Sequence, residues 1–167
     1  MVTSPNLSSR HPGVSGLVLP NYDDVCTAAE RLADVAVQTP LLESPLLSER
    51  IGGRLLVKAE PLQRTGAFKF RGAYNCISQL TPRQRKKGVI AYSSGNHARA
   101  VAAAARMLGT PATIVMPEDA PAVKLAGTRQ EGAHIISYNR AREDRAAIAE
   151  GFAAEKGYAL VRPYEDH

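Results

Sequence analysis

The residues with the clearest capacity for chemistry lie in EPLQRTGAFKFRGAYN, Glu60 to Asn75. Lys69 stands there between Phe68 and Phe70, with Gly66 and Gly72 to either side. A lysine amine becomes a nucleophile toward carbonyls when burial or a nearby cation lowers its pKa. The two phenylalanines would give that amine an apolar wall, and the glycines would admit a flat ring close to the backbone. Read alone, a lysine in such a stretch is an ordinary solvated side chain. A second group is SSGNHA, Ser93 to Ala98. Gly95 permits close approach, Ser94 and Asn96 offer short hydrogen-bonding side chains, and unpaired N–H groups at the start of a helix suit an anion such as a carboxylate. The same residues would serve as a plain helix cap. His97 by itself reads as a capping or packing residue. No second histidine or carboxylate lies at metal-ligand spacing from it, so no metal ligand is expected in this chain.

These groups must be positioned by the elements around them. From Lys87 onward, strand-like and helix-like runs alternate: GVIAYSS, HARAVAAAARMLG, TPATIVMP, APAVKLAGTRQEG, AHIISYN, AREDRAAIAEGFAAEKG and YALVRP. Each helical run ends on glycine, at 109, 132 and 157, where a left-handed cap is needed. Such alternation with short connections requires a parallel sheet and an α/β fold. Ligands of these sheets bind beyond the carboxyl ends of the strands, which selects SSGNHA at the first strand-to-helix turn. Upstream, NYDDVCTAAERLADVA has helical spacing behind acidic caps, Pro40 breaks it, and IGGRLLVKAE reads as a short strand opened by Gly52–Gly53. A loop then leads into a helix at about Phe68 to Leu80. Neither GxGxxG nor GxxxxGK[ST] occurs, so a nucleotide site is poorly supported.

The 167 residues, 44% hydrophobic and 22% charged, suffice for a real core and exclude a disordered chain. A net charge of +5 favours anionic ligands mildly and does not argue for nucleic acid. The densest basic run, PRQRKK from Pro82 to Lys87, has no interleaved aromatics and reads as the solvated end of a helix. Cys26 and Cys76 stand far apart and suit reduced thiols in a cytoplasmic protein. No run reaches the length of a membrane span, so no membrane partner is expected. Residues 1–20 read as a loose tail, without the charged start and apolar run of a secretory signal.

Taken together, EPLQRTGAFKFRGAYN and SSGNHA resemble the serine/threonine dehydratase and serine racemase group of pyridoxal-phosphate enzymes of fold type II. The likeness runs from TPLLES through IVMPEDAPAVK and EGAHIISY to the last strand. Phe70 follows the lysine where the sister cysteine and threonine synthase branches carry Asp, which favours the dehydratase and racemase branch. The resemblance implies α/β architecture of the tryptophan synthase β-like kind, with three-layer parallel sheets, and pyridoxal 5'-phosphate as cofactor. It implies that Lys69 holds the cofactor through its amine and later takes the Cα proton, that Phe68 packs beside the cofactor, and that Asn96 bonds its ring oxygen. Ser93, Ser94, Gly95, Asn96 and His97 would surround the substrate carboxylate. The implied reaction is dehydration and deamination of L-threonine or L-serine to a 2-oxo acid and ammonia. A serine at the position of Ser94 handles a proton on the opposite ring face in racemases of the group, which keeps racemisation open. Two residues depart from the pattern: Ala67 stands where many relatives have serine, and Arg99 where glutamine often follows, with a bearing on rim charge.

Enzymes of this group are roughly twice as long, so the chain corresponds to the N-terminal half of one and is expected to be weakly active or inactive alone. The glycine-rich loop that cradles the cofactor phosphate would lie in the other half, since Gly-Gly occurs here only at Gly52–Gly53. The implied organisation is a tail at 1–20, the lysine-bearing part of the large domain at 21–80, a smaller α/β domain at 81–162, and a return to the large domain at 163–167. A homodimer acting on a small amino acid is implied for the full-length form. A non-catalytic α/β binding module, with residues 87–162 as a nearly self-contained layer, is the rival from another class; an orphaned half-domain would by contrast expose apolar strand edges and associate with itself or with its missing half.

Overall fold

Local chemistry sets where each element begins and ends in the computed structural model, which describes residues 20–164. Helix α1, Tyr22–Leu32, opens on a reciprocal capping box: the Asn21 side chain accepts from Asp23 and Asp24, and the Asp24 carboxylate takes the Asn21 N–H. Two elements went unforeseen. Strand β1 is Leu41–Glu43, and helix α2, Pro45–Ile51, starts behind the Ser44 cap with proline at its first position. Gly52 therefore closes a helix, with φ 67°, instead of opening a strand. Strand β2, Leu56–Lys58, pairs antiparallel with β1, Leu41 opposite Lys58. Two 3-10 turns, Glu60–Leu62 and Arg64–Gly66, lead into α3, Lys69–Ser78. The basic run PRQRKK forms a helix of its own, α4, Pro82–Lys87, where the sequence suggested the end of a longer one. Thr81 and Gln84 cap each other at its start. Gly88 follows with φ 123°, and a Cβ there would stand 2.9 Å from the Pro111 carbonyl oxygen, so the turn into the sheet requires glycine.

The remaining elements alternate as expected: β3 Val89–Tyr92, α5 Asn96–Met107, β4 Ala112–Pro117, α6 Ala122–Gln130, β5 His134–Tyr138, α7 Arg145–Lys156 and β6 Ala159–Leu160. Gly109, Gly132 and Gly157 all take positive φ after their helices. Helix α7 starts at Arg145, later than the run AREDRAA suggests, because the Asp144 side chain caps it by accepting from Ala146 and Ala147. The four strands are parallel, in the order β5-β4-β3-β6. The chain thus builds outward from β3 through β4 to β5, then returns to the far side of β3. That reversal is a topological switch point, and it opens a crevice beyond the carboxyl ends of β3 and β6.

Strand alternation divides the core in two. Val89, Ala91, Ile114 and Met116 face α5 and α3, where Phe70, Ala73, Val101 and Ala105 fill the layer. Ile90, Val115 and Tyr138 face α7 at Ala149, with Ile148 and Phe152 packed alongside. The alanines of α5 let it approach both the sheet and α3 closely. Phe70, Ala73 and Ile77 recur at helical spacing on α3 and are all buried, so one core spans α3 and the sheet. Residues 37–62 behave differently: both strands of the β1–β2 pair are exposed throughout, and α2 buries none of its residues.

Candidate active site

Lys69 is the first residue of α3, and the burial of Phe70 beside it decides where its side chain goes. With Phe70 wholly inside the core, the helix turns Lys69 toward the switch-point crevice. Its Nζ donates to the Pro163 carbonyl oxygen at 2.6 Å, just past β6. The amine also lies 4.7 Å from the centroid of the Tyr164 ring and 5.4 Å from that of Phe68. An aromatic wall around the amine was expected from both phenylalanines. The structure supplies it from Phe68, which is 59% exposed, and Tyr164, while Phe70 serves the core.

Lys69 separates two cavities. One, of about 330 Å³, runs along α3 past Gly72, Asn75 and Cys76 to Val161. The other, of about 310 Å³, is lined by Ser93, Ser94, Gly95 and Asn96 together with Tyr92 and Arg145. Phe68, Lys69, His97, Pro163 and Tyr164 border both. Every site residue expected from the sequence therefore lies around one crevice, although Lys69 and Asn96 come from different helices.

The SSGNHA turn is anchored from behind. The Ser93 N–H donates to Val115 in β4, and the Gly95 N–H donates to Ser93 Oγ at 3.2 Å. Gly95 itself occupies the cap position of α5, which has no side-chain cap. Of the two alternatives, a plain Ser or Asn cap is thus not the one formed. The first turn of α5 keeps its dipole end directed at the cavity. Asn96 Oδ1 is approached by Lys124 Nζ at 3.4 Å. His97 is buried, and its Nε2 lies 3.1 Å from the Val161 carbonyl, tying α5 to β6. Arg99 turns away from the crevice toward Glu131, at 3.5 Å, and so does not set the charge of the rim.

Sequence reasoning missed Tyr92, Arg145, Pro163 and Tyr164. The rule that ligands sit beyond strand ends covers the end of β6 as well as β3, and applying it there would have found Pro163 and Tyr164. Arg145 carries only the signal of following a capping Asp. Its guanidinium carbon lies 5.6 Å from the Tyr92 ring centroid, and no carboxylate pairs with it among the described residues.

Behind the lysine, Arg71 grips Glu60 with two nitrogens, at 2.9 and 2.8 Å. The Arg71 fork is the main reason the Glu60 carboxyl falls from its ordinary 4.5 to about 2. Burial opposes the shift, while the Thr39 hydroxyl and the Lys58 charge reinforce it. A depressed carboxyl pKa contributes stability that is complete above pH 4.5 and lost as the pH falls toward 2. Glu60→Gln is therefore expected to flatten the fall of melting temperature across that window and to lower stability at neutral pH, a result that thermal melts at stepped pH would show.

Residues 32–167 match the family described as pyridoxal-phosphate dependent enzyme. The chain belongs to that family. It is 53% identical over 149 residues to L-threo-3-hydroxyaspartate ammonia-lyase of Saccharomyces cerevisiae, covering 89% of this chain and 46% of the yeast protein. It is 43% identical over 144 residues to L-threonine ammonia-lyase of Thermotoga maritima, covering 86% and 36%. Its fold matches the structure of maize serine racemase with a TM-score of 0.81 at 40% identity, over 86% of this chain and 44% of that one. The α/β class, the fold type II likeness and the pyridoxal-phosphate cofactor all hold. The chain spans about half the length of the relatives it matches. No helix among the described residues is long and apolar enough to cross a membrane.

The residues present fit the reactive end of this cofactor. Lys69 would offer its primary amine to the aldehyde, the Phe68 and Tyr164 rings flank that amine, and the Asn96 amide and the uncapped start of α5 face the same cavity. The chain's Gly52–Gly53 turn borders neither cavity, so it is not placed to cradle a phosphate.

Proposed function

We propose that this chain carries the lysine-bearing half of a site that deaminates a β-hydroxy-α-amino acid: water leaves across Cα–Cβ, and hydrolysis of the resulting enamine takes water back up and releases ammonia and a 2-oxo acid. One observation carries the proposal: Lys69 and the Ser93–Asn96 turn, distant in sequence, line a single cavity at the switch point of the sheet. Pyridoxal phosphate, when bound, supplies the electron sink that makes the substrate's Cα proton acidic. Lys69 holds the cofactor through its Nζ and takes that proton. Phe68 covers the amine from one side. Asn96 offers its amide to the ring oxygen. The Ser93–His97 turn, at the positive end of α5, surrounds the α-carboxylate; the Ser94 N–H faces it while those of Ser93 and Gly95 are engaged in holding the turn. The Ser94 hydroxyl lines the same cavity and favours a second reading, in which the site racemises an amino acid by moving a proton on the other face. Loss of racemisation with retained elimination in Ser94→Ala would separate the two.

Arg145 bears on the substrate. Threonine and serine place nothing anionic beyond the β-carbon, whereas 3-hydroxyaspartate places a carboxylate there. An arginine without a carboxylate partner on the wall of this cavity suits the dicarboxylic substrate. Titration of the chain with L-threo-3-hydroxyaspartate and with L-serine, followed by NMR, tests this. Arg145→Leu is expected to weaken the former about ten- to a hundredfold, the worth of a charge-assisted pair, and to leave the latter unchanged. Equal weakening of both, or of neither, would return threonine and serine to the fore.

Within this reading, residues 21–80 belong to the large domain and 81–162 to the smaller one, with α3 packed across their junction against α5 and the sheet. The complete enzyme is a cytoplasmic homodimer, and the 167-residue chain alone holds the cofactor weakly because phosphate anchoring supplies much of its affinity.

A further inference from the structure

The loop that delivers Lys69 is held in an unfavourable shape. Thr65 takes φ 62°, a left-handed conformation that is unfavourable for a residue with a branched Cβ and persists only where neighbours over-determine it. The neighbours here are polar and mutually engaged. Buried Gln63 exchanges two bonds with Val37, its Nε2 donating to the Val37 oxygen at 2.9 Å and its Oε1 accepting from the Val37 N–H at 3.0 Å. Glu60 and Arg71 stand at the two ends of the loop. Their two-pronged pair is joined by Thr39 Oγ1, which donates to Glu60 at 2.6 Å, and Arg71 also donates to the Val37 oxygen at 3.1 Å. The loop's start, the loop's end and the Val37–Thr39 segment thus meet at one ion pair whose side chains are 16% and 31% exposed. Neither residue borders either cavity.

We propose that Glu60 and Arg71 are positioning residues for the Lys69 amine, an inference that rests on Lys69 being the cofactor lysine. Arg71 shares the first turn of α3 with Lys69. Phe70 pins that turn from the core side and Arg71 pins it from the loop side, which leaves Lys69 one direction, toward the crevice. Without the pair, the strained loop relaxes and the amine loses its fixed place between Phe68 and Tyr164. Misplacement of about 1 Å is enough to cost a reacting group on the order of 10²-fold.

The test uses the chain with pyridoxal phosphate and borohydride, and maps the fixed label by peptide mass. The readouts are the ratio of label at Lys69 to label at exposed Lys86 and Lys156, and the induced circular dichroism of the visible band. General softening of the fold does not change labelling of the exposed lysines, so they serve as internal standards. Glu60→Gln and Arg71→Met are expected to lower the ratio about tenfold and to erase the induced dichroism while melting cooperatively. Glu60→Asp, which keeps the charge, is expected to restore most of both. Wild-type ratio and dichroism in the folded variants would overturn the proposal. Should those variants fail to fold, Arg71→Lys decides, because it keeps the charge but not the fork: an unchanged ratio overturns the inference and a lowered one supports it. Should the wild-type chain label Lys69 no faster than Lys86, the cofactor-lysine reading itself falls, and positioning falls with it.

Discussion

Lys69→Ala is expected to cut the visible absorption that the chain acquires with pyridoxal phosphate to the level its exposed lysines alone contribute, and to abolish the induced circular dichroism of that band; Lys69→Arg is expected to do the same. The amine is half-buried at the lip of two cavities, and alanine there loses one bond to the Pro163 carbonyl and the ring contacts of Phe68 and Tyr164. Those losses are minor for folding, so the variants should melt close to wild type. Arginine keeps the positive charge and cannot condense with an aldehyde at neutral pH, which separates nucleophile from cation. Any turnover falls further than covalent capture alone requires, because the same amine is the proposed base at Cα and proton transfer by a placed base is worth about 10²–10⁴-fold. A band of wild-type intensity in either variant would mean that another lysine takes the cofactor.

The next largest effect falls on stability. Phe70 is fully buried, packs at 5.9 Å against the Tyr74 ring, and joins Ala73 and Ile77 on the face of α3 that meets α5. Removing a buried phenylalanine costs about 3–5 kcal/mol through lost transfer energy and the cavity left behind. Against a whole-domain stability of about 5–15 kcal/mol, Phe70→Ala should leave the chain unfolded or melting tens of degrees lower. Urea titration monitored by circular dichroism would show it. A cost near that of a surface substitution would mean that α3 does not share the sheet's core, and the placement of Lys69 would then lose its support.

The contrast between these neighbours shows what the sequence made legible. Phe68 and Phe70 flank Lys69 symmetrically in the chain, and composition assigned both to the amine. Helical spacing of Phe70 with Ala73 and Ile77 already separated them, because it is the core face that repeats. The strands and helices after Lys87 were legible because each strand is a short apolar run and each helix stops at a glycine that takes positive φ. Strand β1 and helix α2 were not, since three exposed residues have no alternation to read and α2 buries nothing. Lys69 and SSGNHA were recognisable as motifs, but their shared cavity depends on the strand order β5-β4-β3-β6. The same order brings Tyr164 and Arg145 to the site, and no local pattern records it.

The most direct measurement is to mix the wild-type chain with pyridoxal phosphate, reduce with borohydride, and identify every labelled peptide by mass. The expected result is a phosphopyridoxyl group concentrated on the peptide containing Lys69, in competition with carboxylate ligands that share its cavity. Label spread evenly over the exposed lysines, or absent from Lys69, would contradict the assignment of this crevice as the cofactor site.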